Sequence, residues 1–215
     1  MVRHYKRQEM RDLSMSDWIW KCSDDCDGEG DWKPIALLFK FQDVNFVRFL
    51  TAFRDFLKSI PKRNCLVFIG PSDTGKSYFC HSLTKFLKGK VINFMNRASP
   101  FWLSPLVDGK IGLLDDCTYQ CWQHLDVNMR GALDGNDVCI DSKHKNPIQI
   151  TLPPMLITTN FDITREESFS FLRSRLQCFH FPNRVPINED GSLVYTINNL
   201  SLIHISEPTR LRRIS

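Results

Sequence analysis

Apolar positions in this chain follow two rhythms. One is a set of short, nearly unbroken apolar runs: Cys65 to Ile69, Lys90 to Met95, Lys110 to Leu114 and Met155 to Thr159. Runs of that length predict buried parallel strands. The other rhythm is helical. Phe79, Leu83, Phe86 and Leu87 share one face of a predicted helix from Tyr78 to Leu87, and Val47, Leu50, Phe53, Phe56 and Leu57 share one from Val44 to Ile60. Phe46 and Phe49 widen the second stripe enough to allow a subunit contact. A third helix is predicted from Glu166 to Leu176 on the spacing of Phe169, Leu172 and Leu176. Ser14 and Ser16 offer N-caps for a short helix carrying Trp18, Ile19 and Trp20, after a charged, helix-prone start from Met1 to Leu13. Strands alternating with helices predict an α/β fold with a parallel sheet. The chain divides near Ile60, where Pro61 closes a helix.

Chemistry enters at the end of the first apolar run. Gly70-Pro71-Ser72-Asp73-Thr74-Gly75-Lys76-Ser77 fits G-x-x-x-x-G-K-[ST], and it sits between a predicted strand and a predicted helix. Backbone N–H groups in such a loop point at phosphate oxygens. Lys76 supplies charge for the β- and γ-phosphates, and the Ser77 hydroxyl is a candidate Mg²⁺ ligand. A later apolar run ends in Asp115-Asp116. One of these carboxylates is expected to hold Mg²⁺, commonly through water, and the other to polarise an attacking water. Another run ends at Asn160, placed to bond the γ-phosphate or orient water. Arg173 and Arg175 close the predicted third helix. They serve either as dipole compensation or, in an oligomer, as an arginine finger.

Two alternating runs between Val138 and Ile150 flank Lys143-His144-Lys145, which predicts a β-hairpin with a basic tip. Such a tip is either a solvated turn or a probe for nucleic-acid phosphates, and periodicity leaves both open.

Composition narrows this only a little. The chain has 215 residues, 42% of them hydrophobic and 12% aromatic, enough for a real core. A net charge of +4 is too weak to argue nucleic-acid binding alone. Of the eight cysteines, Cys22/Cys26 and Cys117/Cys121 have zinc-like spacing. Neither pair has a second pair to complete a site, so reduced thiols are expected. No apolar stretch approaches a membrane span, and no signal peptide precedes Trp18.

The P-loop, acid pair, basic hairpin and Asn160 fall in that order within about a hundred residues. That order resembles the superfamily 3 helicases of small DNA viruses. Closer strings narrow the resemblance to the papillomavirus branch, over about Arg3 to Tyr195: Glu29-Gly30-Asp31-Trp32-Lys33-Pro34-Ile35, Phe101-Trp102-Leu103, Leu113-Leu114-Asp115-Asp116, Ala132-Leu133-Asp134-Gly135-Asn136 and Ile157-Thr158-Thr159-Asn160.

The resemblance implies an AAA+-type α/β domain that forms a homo-hexameric ring and uses ATP and Mg²⁺ to pull single-stranded DNA through a channel. It implies a helical oligomerisation collar over 1–60 and the ATPase domain over 61–199. It implies that Lys76 and Ser77 hold phosphate and Mg²⁺, with Asp115 and Asp116 as the Walker B pair and Asn160 as the sensor. By the same resemblance, Arg175 is the finger supplied in trans with Lys62 and Arg130, and Lys143, His144 and Phe101 contact DNA. A family tyrosine near the finger is Phe171 here. An origin-loading viral protein and host replication factors are the implied partners, in the host cell nucleus. An origin-binding domain and a nuclear-import region are expected to precede Met1.

Residues 200–215 depart from this pattern. Leu200 to Arg210 resembles a translated sequencing adapter, and the tail is expected to be exposed and dispensable. Without its three arginines and one glutamate, the net charge falls to +2.

Two other function classes stand beside the helicase. A P-loop NTPase or kinase acting on a small substrate would need an arginine-rich lid, and none follows Asp116; Thr159-Asn160-Phe161-Asp162 is not a guanine-reading Asn-Lys-x-Asp motif. The other is a DNA-binding module whose ATP site only assembles the ring.

Overall fold

The computed structural model of the protein describes residues 8–25, 31–94, 101–142, 145–188 and 193–197, together with Leu202 and Ser206. After a helical stretch over 8–12 come α1 (Met15–Asp24), α2 (Lys33–Phe41) and α3 (Phe46–Leu57). The sheet is built from β1 (Cys65–Ile69), β2 (Lys90–Ile92), β3 (Gly112–Leu114), β6 (Met155–Thr159) and β7 (Gln177–His180). Between them lie α4 (Lys76–Phe86), α5 (Tyr119–Asn128), the short α6 (Arg130–Leu133) and the hairpin of β4 (Asp137–Ser142) and β5 (Lys145–Thr151). A further short helix, α7 (Ser170–Arg173), precedes β7.

The sheet order is β2-β3-β6-β1-β7, with every pairing parallel. Both faces are covered, which is why the central strands β1 and β6 are buried throughout. Side chains of β1 alternate between two cores, as the two-residue period of a strand requires. Leu66 and Phe68 join a cluster with α1, α2, α3 and α4, whereas Cys65, Val67 and Ile69 join one with α5 and α6. The first cluster is held by aromatic rings. Phe39 lies 4.2 Å from Phe49, 5.2 Å from Phe79 and 5.4 Å from Phe181 between ring centroids, and it is fully buried. Edge-to-face pairs of this kind add to the area they remove from water.

Helix starts are set by local hydrogen bonds. The Ser14 hydroxyl accepts from Asp17 N, and Asn45 Oδ1 accepts from Arg48 N at 3.0 Å, each satisfying a donor the helix cannot.

Three expectations need correction. The stripe on α3 is rotated: Phe49, Ala52, Phe53, Phe56 and Leu57 are buried, whereas Val47 is 72% exposed. The large ring of Phe49 continues the row of Phe53 and Phe56, so the Phe49 side wins the core. The predicted helix from Glu166 to Leu176 is instead one 3-10 turn, Glu167–Phe169, followed by α7, with a separate 3-10 turn, Ile163–Arg165, just before it. Asp162 bonds Thr164 N, Glu166 is extended at φ −95° and ψ 114°, and the three-residue spacing of Phe169 and Leu172 suits a 3-10 turn equally well. In the tail, Leu202 is fully buried within the first cluster and Ser206 is 8% exposed, so neither of these described positions is the free surface expected of it. Among the described residues no helix is long and apolar enough to cross a membrane.

Because Phe39 fills the centre of the aromatic cluster, Phe39→Ala should cost about 3–5 kcal/mol. Leu37→Ala, at a position 53% exposed, should stay within about 0.5 kcal/mol. Urea unfolding of the two variants tests this; equal losses would mean that the ring cluster does not carry the core.

Candidate nucleotide-binding site

Parallel pairing puts the C-terminal ends of β1, β3 and β6 at one edge of the sheet, and the site forms there. β1 runs into Gly70, whose N–H donates to Thr159 O at 3.1 Å. A Cβ at Gly70 would stand 2.0 Å from Phe181 O, so the backbone approach admits no side chain. The loop then turns into α4 through Gly75, which sits in the left-handed region at φ +84°. Neighbouring segments hold the loop. Val185 N donates to Asp73 O, and the buried Gln42 amide donates to both Thr74 O and Asn183 O.

Lys76 is buried at the first turn of α4. Its Nζ donates to Gly70 O at 2.8 Å, to Pro71 O, to Thr74 Oγ1 and to Asn160 Oδ1 at 3.3 Å. Burial pulls its pKa down, while the Asp116 and Asp115 carboxylates push it back up. Asp115 accepts at Oδ1 from Ser77 Oγ at 2.9 Å and from Thr158 Oγ1 at 2.5 Å, and at Oδ2 from His81 Nε2 at 3.0 Å. Burial alone would raise its pKa, but the bonds from Thr158, His81 and Ser77 outweigh that and leave it below the usual carboxylate value. Asp116 takes a left-handed backbone at φ 53°, with its N–H on Thr158 Oγ1. Its carboxylate accepts from Asn160 Nδ2 at 3.3 Å.

Five predicted residues are therefore brought together: Lys76, Ser77, Asp115, Asp116 and Asn160. Ser77 and Asp115 offer hard oxygen donors side by side, a set that fits Mg²⁺. Lys76 and Ser77 share a cavity of about 460 Å³ with Asp116, Thr158 and Asn160. Its other wall is formed by Tyr78, Val185, Ile187 and Leu193. Sequence reading missed that wall, together with Thr158 and His81. Thr158 lay inside a quoted string but had no period to mark it, and His81 follows Ser77 by one helical turn.

The other predicted residues lie elsewhere. Arg175 precedes β7 and Lys62 precedes β1, so both stand at the opposite edge of the sheet from the P-loop. β1 alone separates those edges by roughly 16 Å at about 3.3 Å per residue. Arg175 Nη2 pairs with Asp134 Oδ2 at 2.7 Å, and its Nη1 donates to Phe171 O. Arg175 Nε and Asp134 Oδ1 are buried without a hydrogen-bond partner. Arg130 forks onto Asp126 at 3.0 and 2.6 Å and lies over the exposed Phe171 ring. Phe101 is half-buried ahead of the 3-10 turn Ser104–Asp108. Lys143 and His144 lie outside the described residues. The described cysteines are free thiols, and burial pushes Cys65 and Cys117 well up and Cys178 to about 12.

A glycine-rich loop, an acid pair and an asparagine converging on adjacent parallel-strand ends define a P-loop nucleotide-binding protein. A family model described as papillomavirus helicase matches residues 1–206, and the chain belongs to that family. It is 60% identical over 201 residues to replication protein E1 of human papillomavirus type 60, covering 94% of this chain and 33% of that protein. It is 59% identical over 199 residues to replication protein E1 of human papillomavirus 4, covering 93% of this chain and 33% of that protein. The chain thus spans about a third of the length of these relatives. Among solved structures, JCV helicase superposes with a TM-score of 0.59 at 18% identity, over 85% of this chain and 56% of that one. The NrS-1 C-terminal region superposes with a TM-score of 0.59 at 16% identity, over 84% and 45%. These two likenesses establish the fold.

A carboxyl whose folded pKa is depressed stabilises the fold above its ordinary value of 3.8, and that contribution is lost as pH falls through the lowered folded value. Asp115→Asn should therefore lose stability at neutral pH and show a flatter acid limb. Denaturation midpoints of the two proteins between pH 7 and pH 2 should converge at the acid end; a constant gap throughout would contradict the hydrogen-bonded carboxylate.

Proposed function

We propose that this chain is the ATPase motor of a DNA helicase for viral replication, working as a homo-hexameric ring on single-stranded DNA. The observation that carries this is the convergence of Lys76, Ser77, Asp115, Asp116 and Asn160 at one sheet edge, in a chain of the papillomavirus helicase family. In this reading the N–H groups at the start of α4 cradle phosphate oxygens, and Lys76 exchanges its loop carbonyls for phosphate. Ser77 and Asp115 would hold Mg²⁺, which when bound neutralises charge on the transferring phosphoryl group. Asp116, steadied by Asn160, orients water for in-line attack, and Asn160 bridges that carboxylate to Lys76.

The position of Arg175 at the far sheet edge supports a role in trans. It would complete a neighbouring copy's site, with Lys62 and Arg130 from the same side. The leading helices over 1–60 serve as the oligomerisation collar. Lys143 and His144, with Phe101, contact the DNA backbone and a base face. An origin-loading viral protein and host replication factors are the further partners, and the host nucleus is the site of action.

Lys76→Ala should abolish ATP hydrolysis. Arg175→Ala should retain ATP binding but hydrolyse poorly, and mixing the two variants should restore activity at mixed interfaces. Mixed rings that form without any recovery would argue against a shared site.

Changing Lys143 and His144 together to alanine should weaken single-stranded DNA binding and stop strand displacement, with ATP binding unchanged. The slope of log affinity against log salt should flatten by about 0.7 per lost phosphate contact. Identical slopes and identical unwinding would reduce the hairpin to a turn.

A further inference from the structure

We propose that His81 is a positioning residue for the cation side of this site, setting divalent-cation affinity through Asp115. The inference rests on the reading of Ser77 and Asp115 as the Mg²⁺ end of a nucleotide site. His81 lies one turn after Ser77 on α4, at the i, i+4 spacing that puts both side chains on one helix face. Both donate to the Asp115 carboxylate, to different oxygens: Ser77 Oγ to Oδ1 at 2.9 Å and His81 Nε2 to Oδ2 at 3.0 Å. An ionised carboxylate can only accept, so at 3.0 Å His81 Nε2 carries the proton.

The two oxygens are thereby pinned from two elements. The buried Thr158 on β6 fixes Oδ1, and His81 on α4 fixes Oδ2. Rotation of the carboxylate has to break both bonds. The Ser77 oxygen is itself a candidate ligand, which leaves Thr158 and His81 to orient the carboxylate once a cation is held. The His81 side chain is 47% exposed and belongs to neither apolar cluster, so packing gives no reason for an imidazole there. Partners of this kind behind a ligand commonly tune metal affinity ten- to a hundred-fold, and an Mg²⁺ site that keeps some of its water falls at the low end.

The test uses the full chain with ADP and Mn²⁺ as the paramagnetic probe, with bound Mn²⁺ counted by electron paramagnetic resonance. His81→Met keeps an apolar stem and removes the donor; His81→Gln puts an amide N–H at the reach of Nε2. His81→Met should weaken ADP-dependent Mn²⁺ binding about tenfold. His81→Gln should stay within about twofold of wild type, the amide replacing one hydrogen bond by another. The thermal midpoint of His81→Met should fall slightly, since one of the three donors to Asp115 is lost, and that of His81→Gln should stay near wild type. Equal Mn²⁺ affinity in wild type and His81→Met would overturn the proposal, as would equal weakening in both variants. If wild type shows no ADP-dependent Mn²⁺ site at all, the cation-site reading falls first and the role of His81 with it.

Discussion

The side chains of the candidate nucleotide site are positioned relative to β1. That strand is hydrogen-bonded in parallel to β6 on one side and β7 on the other, over Cys65 to Ile69. Its side chains are buried on both faces, so it cannot slide by one residue without exchanging the contents of two cores. The fixed register brings Thr159 O onto Gly70 N and Phe181 O against Gly70 Cα, which in turn sets where the glycine-rich loop begins. From the same register, β6 delivers Thr158 and Asn160 into the gap between the loop and the acid pair. The site is thus held by a strand that is paired on both edges and buried on both faces.

The electrostatics of the site are costly in isolation and offset in combination. A buried lysine disfavours its own charge, and Asp116 and Asp115 offset part of that, leaving its pKa below the ordinary value. A partly buried carboxylate does the same, and three donors outweigh the penalty at Asp115. Backbone strain collects in the same place: Asp73 and Asp116 both adopt positive φ, at 62° and 53°. Aspartate tolerates that region better than most residues, yet each still costs energy that the surrounding hydrogen bonds must offset.

What the sequence disclosed follows the distance over which its signals act. The P-loop was legible because the motif, the strand before it and the helix after it are contiguous. The run from Met155 to Thr159 was placed to the residue, since a strand covered on both faces leaves a short run of apolar and β-branched residues. The helix predicted over Glu166 to Leu176 failed because a three-residue spacing does not distinguish a 3-10 turn from an α-helix, and the extended Glu166 has no marker. The choice of buried face on α3 depended on Phe39, Phe68 and Phe179 packing against Phe49, contacts that a single helix pattern does not contain. Gln42 bonding Asn183 across 141 residues is longer-range still.

The two edges of the sheet divide the chemistry. One holds the phosphate loop, the acid pair and Asn160; the other holds Lys62 and Arg175. No rotamer carries an arginine across a buried five-residue strand, so within one copy Arg175 cannot serve the site its own chain builds. Under the proposed role in trans, Arg175 serves a neighbouring copy's site and not its own. The Asp134 pair adds a second feature. Arg175 is gripped through Nη2 but leaves Nε, and Asp134 leaves Oδ1, without a partner in a buried setting. A two-pronged pair would hold the guanidinium more firmly, since the parallel bonds of a carboxylate fork restrict its rotation. Nη1 is held by Phe171 O and Ser174 Oγ, so the buried Nε is the donor left without a partner.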